Sequence, residues 1–514
     1  MSSILTNTSA MVALQTLKGI NKNLNMTQSE ISTGKSVATA RDNAAVWAIS
    51  KVMESDVKGF KGISDSLALG SSTISVARQA AETVTDLLTE VKGKIVAAQE
   101  GNVDSGKIQT DIAALREQIA SVVGAAQFNG LNLIKGTEDV NILSSLDRSG
   151  NGSVTASNIT VLRQDLSTDA GTYGSGTSLN ANAVVSNTAA GALDNVGNTA
   201  VITVAAAANF SAATASYNIG GVAFSFAAGE LGAGNQDAAA GIIAGRINAL
   251  GISGISASAT GAAVSISSAR AFEGVNVQVG AQTGAATGTV ITAVNGAVPS
   301  GANTATNSTV NERSLNIAFD IGAAVKEGDG YRASFAGGQF SYVAGKQETF
   351  GDVARGLKAA IDAEGLTGVT TQVVQNATTG AWSLKIDNAS TTATTLAAIG
   401  NEGGVASGGL FGLDGIDVTT VEGANSALSN VETMINKAID SAAAFGSAQM
   451  RIDIQNDFVS KLSDALKAGI GTLVDADMEE ASARLQALQV QQQLGIQALS
   501  IANQQPQSLL SLFR

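Results

Sequence analysis

The sequence lacks cysteine and histidine entirely and contains only two prolines among its 514 residues. Without cysteine there are no disulfides, thiolate metal sites or cysteine nucleophiles, and without histidine the commonest general base and metal ligand is missing. We therefore expect a protein that is not an enzyme and that carries neither a cofactor nor a metal. The scarcity of proline favours long, uninterrupted secondary-structure elements.

Charge and hydropathy argue against two further classes of partner. The net charge is -13 and the pI is near 4.6. Such a chain repels nucleic-acid phosphates and anionic lipid, because binding either requires clustered Lys and Arg. The N-terminus has no basic segment ahead of an apolar one, and no run of about 18 apolar residues occurs anywhere. We expect no nucleic-acid partner, no membrane span and no cleaved signal peptide.

The apolar residues between Val46 and Ala98 repeat as a heptad, which is typical of a coiled-coil seam. Asp56 and Gly70 interrupt the repeat, but no proline does, so the spacing predicts one helix of up to about 50 residues. The seam comprises Val46, Ile49, Met53, Phe60, Ile63, Leu67, Ile74, Ala77, Ala81, Val84, Leu88, Val91, Ile95 and Ala98.

Two more helices are predicted to pack with the first as a rod. One follows the capping residues Asp104 and Ser105, with apolar residues at alternating steps of four and three from Ile108 to Ala126. The other lies near the opposite terminus, where an apolar residue recurs at every seventh position from Val431 to Leu473.

Both extreme ends of the chain are also periodic, and the last segment carries a second apolar stripe formed by Val490, Leu494 and Ile501. A helix that is apolar on more than one face needs partners on more than one side. The terminal helices have only each other, so we expect exposed apolar surface and self-assembly. The predicted polymer interface comprises Leu17, Ile20, Leu24, Ile31, Leu485, Leu488, Leu494, Leu499 and Ile501.

The middle of the chain is predicted to be β-rich, because Gly, Ala, Ser, Thr, Asn and Val dominate from about 141 to 423. It contains a weak repeat. Residues 217–226 and 333–342 each read as a hairpin that precedes a short helix and a second hairpin. A Gly-Gly pair in each first hairpin suits a tight turn, since glycine accepts positive φ. We expect two similar α+β modules.

Three local motifs resemble those of bacterial flagellins. Residues 30–50 look like the signature that links the inner and outer helical layers of that family. Residues 127–134 are similar to its Phe-Asn-Gly turn, and residues 502–514 to its C-terminus. The resemblance covers roughly 1 to 165 and 424 to 514, and it implies an α+β fold in which long coiled-coil-like helices from both termini form a filament core around inserted β-rich domains.

The resemblance also implies a domain layout. Residues 1–45 and 474–514 would be terminal helices of the inner filament core, and 46–165 and 424–473 a helical rod in the outer core. Residues 166–310 would be a variable β-rich outer domain, and 311–423 a second outer module. Arg41, Asp42 and Asn43 would form the turn between the layers, as a solvated surface pair or as a brace for the turn.

The function implied is that of a filament subunit for swimming motility, a homopolymer outside the cell that is exported through the flagellar apparatus without a cleaved signal peptide. Filament cap, hook-filament junction proteins and an export chaperone would be its other partners. A hook-filament junction protein and a secreted filamentous adhesin remain alternatives. Where some flagellins carry a Toll-like receptor motif, this chain departs at Glu90, by charge reversal, and at Lys94, by loss of an aliphatic residue, which predicts weak receptor activation.

Overall fold

The computed structural model separates the chain into two compact units. The first contains Met1–Ile74, Val140–Val161 and Ser447–Arg514, and the second contains Ser75–Asp139 and Leu162–Gly446. The residues that the structure describes are 7–149, 153–185, 190–193, 197–206, 208, 210–232, 234–280, 288–299 and 306–512.

All five predicted long helices and both predicted short ones form. They are α1 Thr8–Thr33, α2 Ala44–Ala98, α3 Ser105–Ala125, α4 Gln236–Ala249, α5 Phe350–Asp362, α6 Val421–Val474 and α7 Met478–Leu512. Asp104 caps α3 as predicted, because its side chain accepts a hydrogen bond from the backbone N–H of Lys107. Asn7 caps α1 in the same way, with Ala10 N–H as the donor.

Twenty strands lie between the helices of the described chain. They are β1 Gln127–Phe128, β2 Leu131–Asn132, β3 Val140–Arg148, β4 Val154–Val161, β5 Ala183–Val185, β6 Ala190–Leu193, β7 Asn198–Val204, β8 Ala215–Ile219, β9 Val222–Phe226, β10 Ile255–Thr260, β11 Ala263–Ser268, β12 Val275–Val279, β13 Thr289–Val294, β14 Asn307–Val310, β15 Leu315–Phe319, β16 Gly330–Phe335, β17 Gly338–Val343, β18 Val369–Gln375, β19 Trp382–Asn388 and β20 Thr394–Asn401. Every named strand pairing is antiparallel.

The heptad seam of α2 is buried from Ile63 to Ile95, but it is open at its start, where Ile49 is exposed and Phe60 half-buried. The seam of α6 is buried from Val431 to Val459, but its last residue, Leu473, is exposed. Polar side chains link the helices of each unit. In the first unit Ser64 of α2 donates to Asn456 of α6 at 2.8 Å.

The two residues that interrupt the α2 heptad lie where the β3–β4 hairpin packs against α2. A Cβ at Gly70 would lie 2.5 Å from Ile142 Cδ1, so only glycine leaves room for this strand residue. Asp56 forms an ion pair with Arg148 at 2.5 Å, which raises the pKa of the Arg148 guanidinium. The breaks in the helical pattern therefore accommodate a neighbouring hairpin.

The predicted β-rich middle contains two modules with closely related sheets. In one, the strand orders are β10-β11-β7-β13 and β14-β12-β8-β9, with α4 packed on the first sheet. In the other they are β18-β19-β15-β5 and β6-β20-β16-β17, with α5 as the helix. The two orders match strand for strand, which confirms the predicted pair of similar modules.

The matching strand orders show that one module is inserted into the sequence of the other. β5 and β6 complete the sheets of the second module, yet they precede the first module in the chain. Residues 198–310 are therefore an inserted module, and residues 183–193 with 315–401 form its host module. The predicted boundary at 310 was wrong for residues 183–193, because hydrophobic patterning marks strands but not their distant partners.

The inserted module begins and ends at one place on its host. Asn198 Nδ2 donates to Asn311 O at 3.2 Å and to Glu312 O at 2.8 Å. Each module encloses its own core, with Tyr217 and Ile243 buried in the inserted module and Tyr331 and Leu357 in the host. Burial raises the pKa of Tyr217 to about 12.

One of the two predicted Gly-Gly turns is displaced by a residue. In the first hairpin Ile219 pairs with Val222, so Gly220 and Gly221 form the turn, both with positive φ. In the second, Phe335 pairs with Gly338, so the turn consists of Ala336 and Gly337. Alanine adopts φ 52° here, a conformation that glycine would accept with less strain.

Candidate assembly surface on the terminal helices

The terminal helices α1 and α7 pack against each other as an antiparallel pair within the first unit. At one end Asn7 Nδ2 donates to Ala502 O at 2.8 Å, and further along Gln492 Nε2 donates to Asn21 Oδ1 at 2.6 Å. The backbone of Lys35 forms an antiparallel bridge with Asp475 at the other end. The two terminal helices are thus held side by side from Asn7 and Ala502 at one end to Lys35 and Asp475 at the other.

The seam of this pair contains most of the residues predicted to contact other subunits. Leu24 and Leu488 are only 9% and 8% exposed, so they are intrachain core residues. Gly495 lets the helices approach, because a Cβ there would lie 3.2 Å from Leu17 Cδ1 and 3.6 Å from Ile20 Cδ1. Ile31, Leu485 and Leu499 are half-buried.

For Leu24 and Leu488 the prediction of a subunit contact therefore has to be corrected. The periodicity of a helix shows that a face will be covered, but it does not show whether the cover belongs to the same chain. Here the opposite terminus of the same molecule provides it.

The second stripe of α7 lies outside the seam. Leu494 is 58% and Ile501 is 66% exposed, and Val490 on the same face is also exposed. α1 leaves Met11, Val12 and Met26 exposed. These apolar positions are exposed on the helix pair, and no other part of the described chain covers them.

A further apolar stripe in the first unit escaped the sequence analysis. Met450, Ile454 and Phe458 of α6 are all exposed and recur at intervals of four residues. The heptad seam through Ile452 and Val459 predicts one apolar face for this helix. Met450, Ile454 and Phe458 lie outside that face, so the heptad pattern does not predict them. A test for two stripes, as applied to α7, would have found them.

The predicted turn between α1 and α2 is held by Asp42. Its carboxylate accepts hydrogen bonds from the backbone N–H of Thr39 at 2.8 Å, from the Thr39 hydroxyl at 3.0 Å and from Ala38 N–H at 3.2 Å. The backbone N–H of Thr39 is the main cause of the lowered pKa of Asp42. The two interpretations of Asp42 are a solvated surface residue and a brace for the turn. These hydrogen bonds support the brace.

The neighbours of Asp42 differ in role. Asn43 begins α2, since its side chain accepts a hydrogen bond from Val46 N–H at 3.2 Å. Arg41 is exposed. The turn is also tied to the far end of the chain, because Ser36 N–H donates to Val474 O at 2.7 Å and Ala476 N–H donates to Gly34 O at 3.0 Å.

The residues of the departed receptor motif lie on α2 in the second unit. Glu90 is exposed. Lys94 pairs with Asp111 of α3 at 2.5 Å, and this hydrogen bond raises the pKa of the Lys94 ammonium. Lys94 is therefore a link between two helices as well as a surface charge.

The acidic cluster that opens α7 has a structural explanation. Asp477 accepts hydrogen bonds from the backbone N–H groups of Glu479 and Glu480, and Glu480 pairs with Arg484 at 2.5 Å. Across the described residues, no group of three or more acidic side chains is arranged to hold a metal ion. None of the helices searched in that part of the chain has the length and apolar character needed to cross a membrane.

Comparison with known proteins identifies the family. Residues 4–139 match the bacterial flagellin N-terminal helical region, and residues 428–513 match the bacterial flagellin C-terminal helical region. Flagellin A of Rhizobium meliloti is 30% identical, and the flagellin A of its strain 1021 is 32% identical, each over 100% of both chains. FliC from Burkholderia pseudomallei is 12% identical with a TM-score of 0.26, over 74% of this chain and 99% of that chain.

The whole-length relatives and the two terminal matches agree with the paired terminal helices, the rod helices and the β-rich middle. The chain therefore belongs to the bacterial flagellins, structural proteins rather than enzymes, and is a subunit of the extracellular flagellar filament.

Proposed function

We propose that the exposed apolar surface of the α1–α7 pair is the main contact between subunits in the filament. The observation that carries this proposal is the exposure of Leu494 and Ile501 on a helix pair whose own seam is already filled. In water such a surface is unfavourable, and a second copy of the chain offers the same surface to cover it.

Simple energetics support the proposal. Full burial of a Leu or Ile side chain contributes roughly 1.5 to 3 kcal/mol, and more than half of that surface remains to be buried at Leu494 and Ile501. A contact of this kind is weak for one pair of chains. It becomes strong in a fibre, since every subunit is held by several neighbours at once.

The same reasoning extends to the outer core. The exposed stripe of Met450, Ile454 and Phe458 lies on α6 in the same unit as the terminal pair. We assign 1–45 and 474–514 to the inner core and 46–165 and 424–473 to the outer core, with the inserted and host modules directed outward. A filament cap, junction proteins, an export chaperone and passage through the flagellar export apparatus without a cleaved signal peptide complete the proposal.

Seeded polymerisation tests the contact. The double variant Leu494→Asp/Ile501→Asp should remain a folded monomer when wild-type fibre seeds are added, because two carboxylates would be buried without partners. Wild-type chain should elongate the seeds, as seen by electron microscopy. Circular dichroism would check that the variant keeps its helices.

The matched control is Val298→Asp/Ile321→Asp, which alters two residues of the modules that are 70% and 67% exposed. This control should polymerise normally. If both double variants elongate seeds, the α7 stripe is not a subunit contact. If the wild type also stays monomeric when seeds are added, this result would favour a role as a junction protein or an adhesin over a role as a filament subunit.

We also propose weak activation of the Toll-like receptor, because the exposed Glu90 presents the opposite charge to the motif and Lys94 is engaged with Asp111. A reporter-cell assay with purified monomer measures this. Glu90→Arg/Lys94→Leu should raise the response, and a full response to the unmodified chain would refute the proposal.

A further inference from the structure

Two Asn-Gly turns in the described chain share the same backbone conformation. Asn129 and Gly130 close the β1–β2 hairpin with φ of 51° and 81°. Asn295 and Gly296 follow β13 with φ of 50° and 77°, between the bridged residues Val294 and Ala297. Asparagine accepts the left-handed region better than most residues, which explains its position in both turns.

The side chains of the two asparagines are held very differently. Asn295 is half-buried, its Nδ2 donates to Thr309 O at 3.2 Å and its Oδ1 accepts from Asn311 N–H at 3.0 Å. Its backbone N–H donates to Thr199 O at 2.8 Å. Asn129 is exposed, and within the described ranges neither its side chain nor the Gly130 N–H has a hydrogen-bond partner.

We propose that Asn129 is a site of spontaneous deamidation in the folded chain and that Asn295 is protected. The Gly130 amide nitrogen attacks the side-chain carbonyl carbon of Asn129, and a C–N bond forms as the Gly130 proton and the side-chain nitrogen leave as ammonia. Water then opens the five-membered imide at either carbonyl. The net change consumes one water, releases one ammonia and leaves aspartate or isoaspartate.

The turn geometry allows this attack with little rearrangement. Types I′ and II′ both have positive φ at their first central residue, and both join hairpin strands. A flip of the single peptide between Asn129 and Gly130 converts one type into the other and turns the Gly130 nitrogen toward the Asn129 side chain. The flip places Asn129 at the first position of a type II′ turn, which favours glycine, so the reactive conformer is a minor one.

At Asn295 the same flip is opposed. The amide must leave both side-chain partners before its carbonyl carbon can meet the Gly296 nitrogen. Both hydrogen bonds must break before the attack, so the reactive conformer is rarer at Asn295 than at Asn129.

The product would change a turn that sits beside α3. It adds a negative charge to an exposed position, and the isoaspartate form adds one backbone atom to a two-residue loop. The loop sets the pairing of Phe128 with Leu131, and the adjacent Asn132 Nδ2 donates to Val123 O at 2.8 Å. An altered register would loosen this link to α3.

Peptide mass spectrometry of the full chain, aged in mildly alkaline buffer, tests the proposal. In folded protein the conversion at Asn129 should be about tenfold faster than at Asn295, or more. In guanidinium chloride the two sites should convert at similar rates. This result would show that the difference in the folded protein comes from its structure and not from the residues next to each asparagine in the sequence. The third pair, Asn151 and Gly152, lies outside the described residues and serves no comparison.

The variant Asn129→Gly provides the control, because glycine accepts the same positive φ and has no amide to lose. Ion exchange should show a growing acidic form of the wild-type chain that is reduced in this variant. Equal rates at Asn129 and Asn295 in folded protein would overturn the proposal, and so would an Asn129 that converts only after unfolding.

Discussion

The two units of the molecule differ in how completely they bury their own apolar residues. Seventeen of the twenty-seven large exposed hydrophobic residues described lie in the first unit, although it holds only about a third of the chain. The second unit contains two modules with closed cores, in which Tyr331 and Leu384 are fully buried. The difference shows that the second unit covers its own apolar residues more completely, and it supports the proposal that other copies of the chain cover the first unit.

The comparison implies that damage to a module should cost stability and leave assembly intact, whereas damage to the first unit should affect assembly. The strongest test removes Asp387, whose carboxylate holds Arg313 by two hydrogen bonds of 2.7 and 2.6 Å inside the host module. Asp387→Ala should lower the free energy of unfolding of this module by about 3 to 5 kcal/mol, because a guanidinium whose side chain is only 12% exposed loses its carboxylate.

Denaturant titration followed by Trp382 fluorescence, in a Trp47→Phe background, measures that loss. Glu364→Ala is the control, since this carboxylate is exposed on the same module and should change stability very little. The Asp387 variant should still elongate seeds. Failure to form fibres would break the division between the two units.

A second test uses two glycines of α2 in the first unit. Gly70→Ala should destabilise the chain by about 1 kcal/mol, because the new Cβ meets Ile142 and the collision outweighs the gain in helix propensity. Gly62→Ala should stabilise it by about 0.5 to 1 kcal/mol, since nothing lies within 4 Å of that position. Thermal unfolding would show opposite signs. The same sign for both would mean that the hairpin does not need this space.

A third test sharpens the comparison within the second unit. Excision of residues 198–310, with a short Gly/Ser linker in their place, should leave the host module folded, because the two ends of the insertion already meet at Asn198 and Asn311. We expect its unfolding free energy to change by less than about 1 kcal/mol. Removal of 183–193 should instead unfold the host, because β5 and β6 belong to its sheets. Equal effects of the two deletions would contradict the nested topology.

The smallest effect concerns the turn between α1 and α2. The pKa of Asp42 is lower in the folded chain, so its ionised form stabilises the turn at neutral pH, and this contribution is lost as the pH falls below about 4. Asp42→Asn should flatten the pH dependence of seeded growth in that range and keep growth at neutral pH. An unchanged acid profile would show that the turn does not limit assembly.

Sequence patterns were most informative where one periodic face meets one partner. The presence of α1 and α2, the repeated modules and the second apolar stripe of α7 follow from spacing, and the start of α3 follows from its capping residue Asp104. Two kinds of feature could not be read in this way. The cover of Leu24 and Leu488 comes from the far end of the chain, and the partners of β5 and β6 lie beyond an inserted module.

Local exceptions were harder still to interpret. Asp56 and Gly70 looked like defects in a heptad, and only the hairpin that packs beside them gives them a role. The displacement of one turn to Ala336 depends on a register that is set by cross-strand packing rather than by the best turn residues.

The nested insertion has a consequence for the order in which the chain folds. β5 and β6 leave the ribosome before β15 and β20, their partners in the host sheets, with more than a hundred residues between them. A flexible connection of that length would make the search slow. The inserted module can fold first, since all its strands are contiguous in the chain. Its two ends then lie side by side, and they hold the two parts of the host close together. The inserted module, which separates the two parts of the host in sequence, therefore brings them together in space and speeds folding of the host.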